Sequence, residues 1–166
     1  ANPKKFYCIE YDKRLTTILS KKFHQHENFL LINEDALKLD ERELIKRAFS
    51  SGKLNDARVK IVANLPYNIG TELIFKWLED VFQYHSFTLM LQKEVVERIV
   101  ATEKQPKSYG VISLLVKFFC GATKLMDVPP SCFSPPPKVD SSVVRIMPRH
   151  ILGDKFGNHR EATYRT

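Results

Sequence analysis

The run Val59-Lys60-Ile61-Val62-Ala63, followed at once by Asn64-Leu65-Pro66-Tyr67, restricts the fold more than any other stretch of this chain. A short segment rich in β-branched residues and closed by a turn signal reads as a buried parallel strand. In an open parallel sheet, ligands bind just past the carboxyl ends of the strands, and the tetrapeptide falls there. Pro66 biases Leu65 toward an extended backbone and has no N–H, so nearby carbonyls are left to accept from a ligand. The loop then offers the Asn64 amide oxygen, a backbone carbonyl and the aromatic face of Tyr67. A planar group bearing an –NH2 needs that set: two acceptors for its hydrogens and a ring to stack on. The same residues also read as a plain Asn-Pro turn with Tyr67 packed on a neighbour, so the rest of the chain has to decide.

The remaining sequence alternates short apolar runs with amphipathic ones. Strands are expected at Lys5 to Tyr11, Phe29 to Asn33, Ser86 to Leu91 and Ser142 to Met147. Helices are expected from Lys13 to His24, with Leu15, Ile18, Leu19 and Phe23 on one face, and from Glu41 to Phe49, broken by Ser50-Ser51-Gly52. Thr71 is the expected N-cap of a helix to Phe82, with Leu73, Ile74, Trp77, Leu78, Val81 and Phe82 as its buried stripe. A further helix spans Lys93 to Ala101. Tyr109 to Phe118 is apolar all round and reads as a buried helix running into a strand over Phe119 to Val128. Pro129-Pro130 and Pro135-Pro136-Pro137 mark a rigid loop. This order predicts an α/β sheet, mostly parallel, with an antiparallel edge strand near the C-terminus. Ile151 to Thr166 is polar and aperiodic and reads as a loose tail.

A length of 166 residues with 43% hydrophobic content suffices for one domain with a real core. The formal charge of +7 and a pI near 9.3 favour a polyanionic partner such as nucleic acid. The basic residues are nevertheless scattered. Cys8, Cys120 and Cys132 form no C-x-x-C, which points to a reducing, cytoplasmic setting with the thiols as small core residues. His24 and His26 have no evident partner ligands, and no metal site is expected. No membrane-spanning stretch or signal peptide is visible.

Glu10 ends the first strand, where a carboxylate in a nucleotide-binding sheet suits the two hydroxyls of a ribose. Pairing with Lys13 or Arg14 is the plainer alternative. Asp35 ends the second strand and could accept from an adenine amine, or simply close a turn on its own backbone. Glu10, Asp35 and Asn64 thus follow three successive strands at their carboxyl ends, an arrangement expected to line one crevice.

Asn64-Leu65-Pro66-Tyr67, Gln92-Lys93-Glu94-Val95, Tyr109-Gly110, Val128-Pro129-Pro130 and the block Phe133-Ser134-Pro135-Pro136-Pro137-Lys138-Val139-Asp140-Ser141 together resemble the ribosomal RNA adenine N6,N6-dimethyltransferase family, small-subunit (16S-type) branch. The resemblance runs from about Phe6 to Arg149. It implies a class I methyltransferase fold (Rossmann-like) that uses S-adenosylmethionine, acting as a monomer on small-subunit rRNA in the immature ribosomal subunit. It further implies that Glu10 binds the cofactor ribose and Asp35 its adenine, with Ala36 giving a backbone contact and Asn64 bordering the same site. Asn64 and the Leu65 carbonyl would accept from the target amine, Pro66 would shape the loop, and Tyr67 and Phe133 would stack on the base. The target adenine must leave its stack, which suits a looped-out RNA base.

The family's first strand and Gly-rich turn would precede Ala1, and its helical RNA-binding domain would follow Arg149. Residues 1–149 therefore read as a partial catalytic domain and 150–166 as a tail, and the piece alone is expected to be inactive. The competing readings are a methyltransferase acting on DNA adenine or a glutamine amide, a large-subunit rRNA methyltransferase of the resistance type, and a non-catalytic RNA-binding or assembly factor.

Overall fold

The computed structural model describes residues 3–48 and 58–150. The expected break at Ser50 to Gly52, the end of the second helix at Phe49 and the tail from Ile151 lie outside the described residues. The chain divides into two compact units, Ala1–Ala57 and Arg58–Thr166.

In the first unit, β1 (Phe6–Glu10) pairs in parallel with β2 (Phe29–Asn33), and α1 (Lys13–Phe23) connects them. Asp12 caps α1, its carboxylate accepting from the Arg14 N–H at 2.8 Å. α2 (Glu41–Ala48) follows β2, with Glu43 and Arg47 paired one turn apart. Phe23, Phe29 and Phe6 form an aromatic stack, with centroids 4.7 and 5.7 Å apart. The expected apolar face of α1 is only partly covered. Leu15 and Ile18 are exposed, and no residue of α1 is buried.

The second unit holds β3 (Val59–Asn64), α3 (Gly70–Glu79), β4 (Tyr84–Gln92), α4 (Lys93–Val100), α5 (Val111–Phe119), β5 (Cys120–Val128) and β6 (Ser141–Pro148). Its strands are ordered β3-β4-β6-β5, with β3 parallel to β4 and β6 antiparallel to both of its neighbours. The antiparallel strand β6 thus lies inside the sheet, and β5 forms the edge.

Register separates the two faces of this sheet. Ile61 with Phe87 and Ile146, and Ala63 with Leu89 and Val144, share one face. Against it packs α3 through Ile74, Trp77 and Leu78, with Trp77 stacked on Phe87 at 5.9 Å. Asn64, Met90 and Val143 share the opposite face, as do Gln92 and Ser141. β3 is not the fully buried strand that its composition predicts: Lys60, Val62 and Asn64 alternate as exposed residues. It has β4 on one side, and among the described residues no strand pairs with the other.

Three further expectations need correction. α3 begins at Gly70 with Ile69 at its N-cap, so Thr71 lies inside the helix; the Pro66 carbonyl accepts from the Ile69 and Gly70 N–H groups instead. Phe82 falls in a 3-10 turn past the end of α3 and is exposed. α5 is not buried all round, because Val111, Leu114 and Phe118 face outward at helical spacing. Among the cysteines, Cys120 is core, Cys8 is half-buried and Cys132 is exposed. No helix of the described residues is long and apolar enough to cross a membrane.

Candidate active site

In the first unit, parallel pairing brings Glu10 opposite Asn33, two residues before Asp35, so both carboxylates stand at the same end of the strand pair. Glu10 accepts the Asp12 N–H on Oε1 at 2.8 Å, and the Asn33 amide donates to the Glu10 and Tyr11 carbonyls. Lys13 and Arg14 do not take up Glu10; Arg14 pairs with Asp12 instead at 2.6 Å, holding the Asp12 carboxyl down at about 2. Asp35 does close a turn, with Oδ1 accepting from the Leu37 N–H at 3.0 Å. Each carboxylate keeps a second oxygen that meets no described donor. Two half-buried carboxylates, each with one uncommitted oxygen, fit the hydroxyl- and amine-bearing part of a nucleoside.

In the second unit, the chain leaves β3 through a loop fixed at both ends. The Leu65 N–H extends the ladder by donating to the Met90 carbonyl at 3.1 Å, and the Leu65 side chain is 5% exposed. Gly70 closes the loop at a point where a Cβ would lie 2.5 Å from Leu91 Cδ2 and 3.6 Å from Leu65 Cβ. Burying Leu65 and pressing Gly70 against it therefore sets the loop rigidly. Between these anchors the Asn64 amide is exposed, with no partner among the described residues, and no described donor reaches the Leu65 carbonyl. Two acceptor oxygens of adjacent residues are thus available at the carboxyl end of β3.

The Tyr67 hydroxyl lies 3.0 Å from Ser141 Oγ, while its ring, like that of half-buried Phe133, contacts no other described ring. Phe133 sits in the loop from β5 to β6, its N–H donating to the Pro130 carbonyl at 3.1 Å. At the same end of the sheet, an open groove of about 430 Å³ is lined by Gln92, Lys93, Glu94, Lys138 and Asp140 among others. Ser142 Oγ donates to Asp127 Oδ1 at 2.6 Å, and Lys124 and Lys93 stand 3.0 and 3.6 Å from the same carboxylate. These partners hold the Asp127 carboxyl down at about 2. Sequence order carries no signal for the Ser142 hydroxyl or Lys93 as partners of Asp127. Ser141 closes the Phe133-to-Ser141 block, but nothing in the order of residues marks its hydroxyl as a partner of Tyr67.

The sequence model of the ribosomal RNA adenine dimethylase family matches residues 1–156. The chain is 42% identical to the ribosomal RNA small subunit methyltransferase A of Clostridium acetobutylicum over 143 residues, which is 86% of this chain and 49% of that protein. It spans about half the length of the curated relatives it matches. Among solved structures, a dimethyladenosine transferase from Plasmodium falciparum superposes with a TM-score of 0.73 at 31% identity, covering 92% of this chain and 51% of that one. The 23S rRNA methyltransferase ErmE superposes with a TM-score of 0.67 at 24% identity, over 89% of this chain and 54% of that one, a likeness of fold.

Proposed function

The chain belongs to the ribosomal RNA adenine dimethylase family, and from that premise we propose that its protein dimethylates the N6 amine of adenines in small-subunit rRNA, using S-adenosylmethionine. The fold is that of class I methyltransferases. The curated relatives named for the small subunit favour that RNA over the large-subunit alternative. The observation that carries the reading is the pair of acceptors without a described partner, the Asn64 amide and the Leu65 carbonyl, followed by a tyrosine whose hydroxyl is tied to Ser141.

S-adenosylmethionine, when bound, supplies an electrophilic methyl group. In the first unit Glu10 and Asp35 would hold its ribose and adenine, with the Ala36 backbone giving a further contact; in the second, Asn64 would be a cofactor contact of its own. The N6 amine of adenine is a poor nucleophile because its lone pair is delocalised into the ring. Asn64 Oδ1 and the Leu65 carbonyl accept its two hydrogens and turn them out of the ring plane, which returns the pair to nitrogen. Positive charge grows on that nitrogen as it reacts, and the same two oxygens stabilise it. Tyr67 and Phe133 stack on the base and fix its orientation. Pro66 contributes by keeping Leu65 extended. The product ammonium is acidic enough to lose its proton to water or to a nearby carbonyl, so no strong base is required.

The test uses the full-length protein with labelled S-adenosylmethionine and under-methylated small subunits. Dimethyladenosine should form, and Asn64→Ala should lower the rate by about a hundredfold, the scale of losing one aimed dipole. An Asn64→Ala protein with undiminished turnover overturns the proposal.

A further inference from the structure

Tyr67 and Ser141 are 74 positions apart in sequence, yet their hydroxyl oxygens stand 3.0 Å apart. The strand order puts β4 between β3 and β6. The tyrosine therefore reaches across the carboxyl end of β4 to meet its partner. The two ends of this bond differ in burial and in how the backbone holds them. Ser141 is 1% exposed and is the first residue of β6, paired to Gln92 on one side and to Val128 on the other. Tyr67 is 40% exposed, lies on a loop, and stacks on no other ring among the described residues. The bond engages the hydroxyl at the edge of the phenol, and neither ring face is stacked on another described ring. Asn64 and Ser141 also lie on the same face of the sheet by register.

We propose that Ser141 is the positioning residue that presets the Tyr67 ring for stacking on the target adenine. An exposed tyrosine on a loop samples several side-chain rotamers, and ordering such a side chain at the moment of binding weakens the complex. Tying its hydroxyl to a serine that is locked between two strands removes that cost beforehand. Ser141 also ends the loop that carries Phe133, so the same residue joins the two elements that bear the stacking rings. The adjacent Ser142 does not share this task, because it faces the other side of the sheet and donates to Asp127. The inference rests on the reading of Tyr67 as a stacking ring.

Steady-state methylation of under-methylated small subunits by the full-length protein tests it. Ser141→Ala and Tyr67→Phe each remove the bond while keeping the ring. Each should lower kcat/KM for RNA by about two- to tenfold, the cost of ordering one side chain, with KM for S-adenosylmethionine unchanged. The double variant should be no worse than either single one, and Ser141→Thr, which keeps a hydroxyl, should recover most of the loss. A merely structural serine would lower the melting temperature without this shared, RNA-specific loss. Wild-type kinetics in both single variants, or losses that multiply in the double variant, overturn the proposal. If Ser141→Ala fails to fold, Tyr67→Phe decides alone, since it breaks the bond from the exposed side. Tyr67→Ala separates this inference from the reading beneath it. If Tyr67→Ala is silent, the stacking role itself is wrong. If it abolishes turnover while Tyr67→Phe and Ser141→Ala are silent, only the positioning role fails.

Discussion

Gly70 stands where a methyl group has no room, 2.5 Å from a leucine that is itself 2% exposed. Gly70→Ala gains about 1 kcal/mol of helix propensity at most, but forcing extra volume into a packed core costs about 1–3 kcal/mol. Overpacking wins, and the melting temperature of Gly70→Ala should fall. Because the displaced loop carries Asn64 and Leu65, methylation should fall further than the stability loss alone explains. Comparing activity with fraction folded at one temperature checks this. At the residue scale a candidate site is legible in sequence where it is contiguous. Asn64 to Tyr67 can be read directly, because a strand, a proline and an aromatic follow one another. The partnership of Tyr67 with Ser141 cannot, because it exists only once β4 and β6 are laid side by side. Asp35 shows the turn that its position allows, one oxygen accepting from the Leu37 N–H.

Helices and strands were legible from periodicity, and what covers them was not. The spacing of Leu15 and Ile18 in α1, or of Val111, Leu114 and Phe118 in α5, specifies a helix with an apolar stripe; nothing in that spacing says which element meets the stripe, and these residues are exposed. Thr71 is not the cap, because the Pro66 carbonyl, one turn earlier, already serves the Ile69 and Gly70 N–H groups at the start of α3. Two predictions belong to elements. Arg149 donates from Nε and a terminal nitrogen to the Lys117 carbonyl and from Nε to the Phe118 carbonyl, closing the C-terminal end of α5. Arg149→Ala should therefore lower unfolding free energy by about 1 kcal/mol in urea titrations. The β5–β6 pair should be acid-sensitive through Asp127. Its carboxyl, held at about 2 in the fold, has an ordinary value near 3.8. A depressed carboxylate contributes stability above its unfolded value and loses it as pH falls toward the folded one. Thermal unfolding between pH 5 and 2 should thus steepen on the acid side, and Asp127→Asn should flatten that limb.

For the whole molecule, the formal charge of +7 acts at long range rather than at any one contact. If the partner is RNA, affinity measured by filter binding should drop about twenty- to fortyfold between 50 and 200 mM salt for some three phosphate contacts. A salt-independent affinity would argue against phosphate recognition. The division into two units was not visible in the sequence, which reads as one unbroken alternation of strand and helix.

The side of β3 that pairs with no described strand, with Val62 77% exposed on the strand, has a cost in handling. Backbone groups along an unpaired strand margin are a template on which other extended chains can zip. Concentrated samples of this polypeptide should therefore turn cloudy with time, and a lysine in place of Val62 should keep them clear.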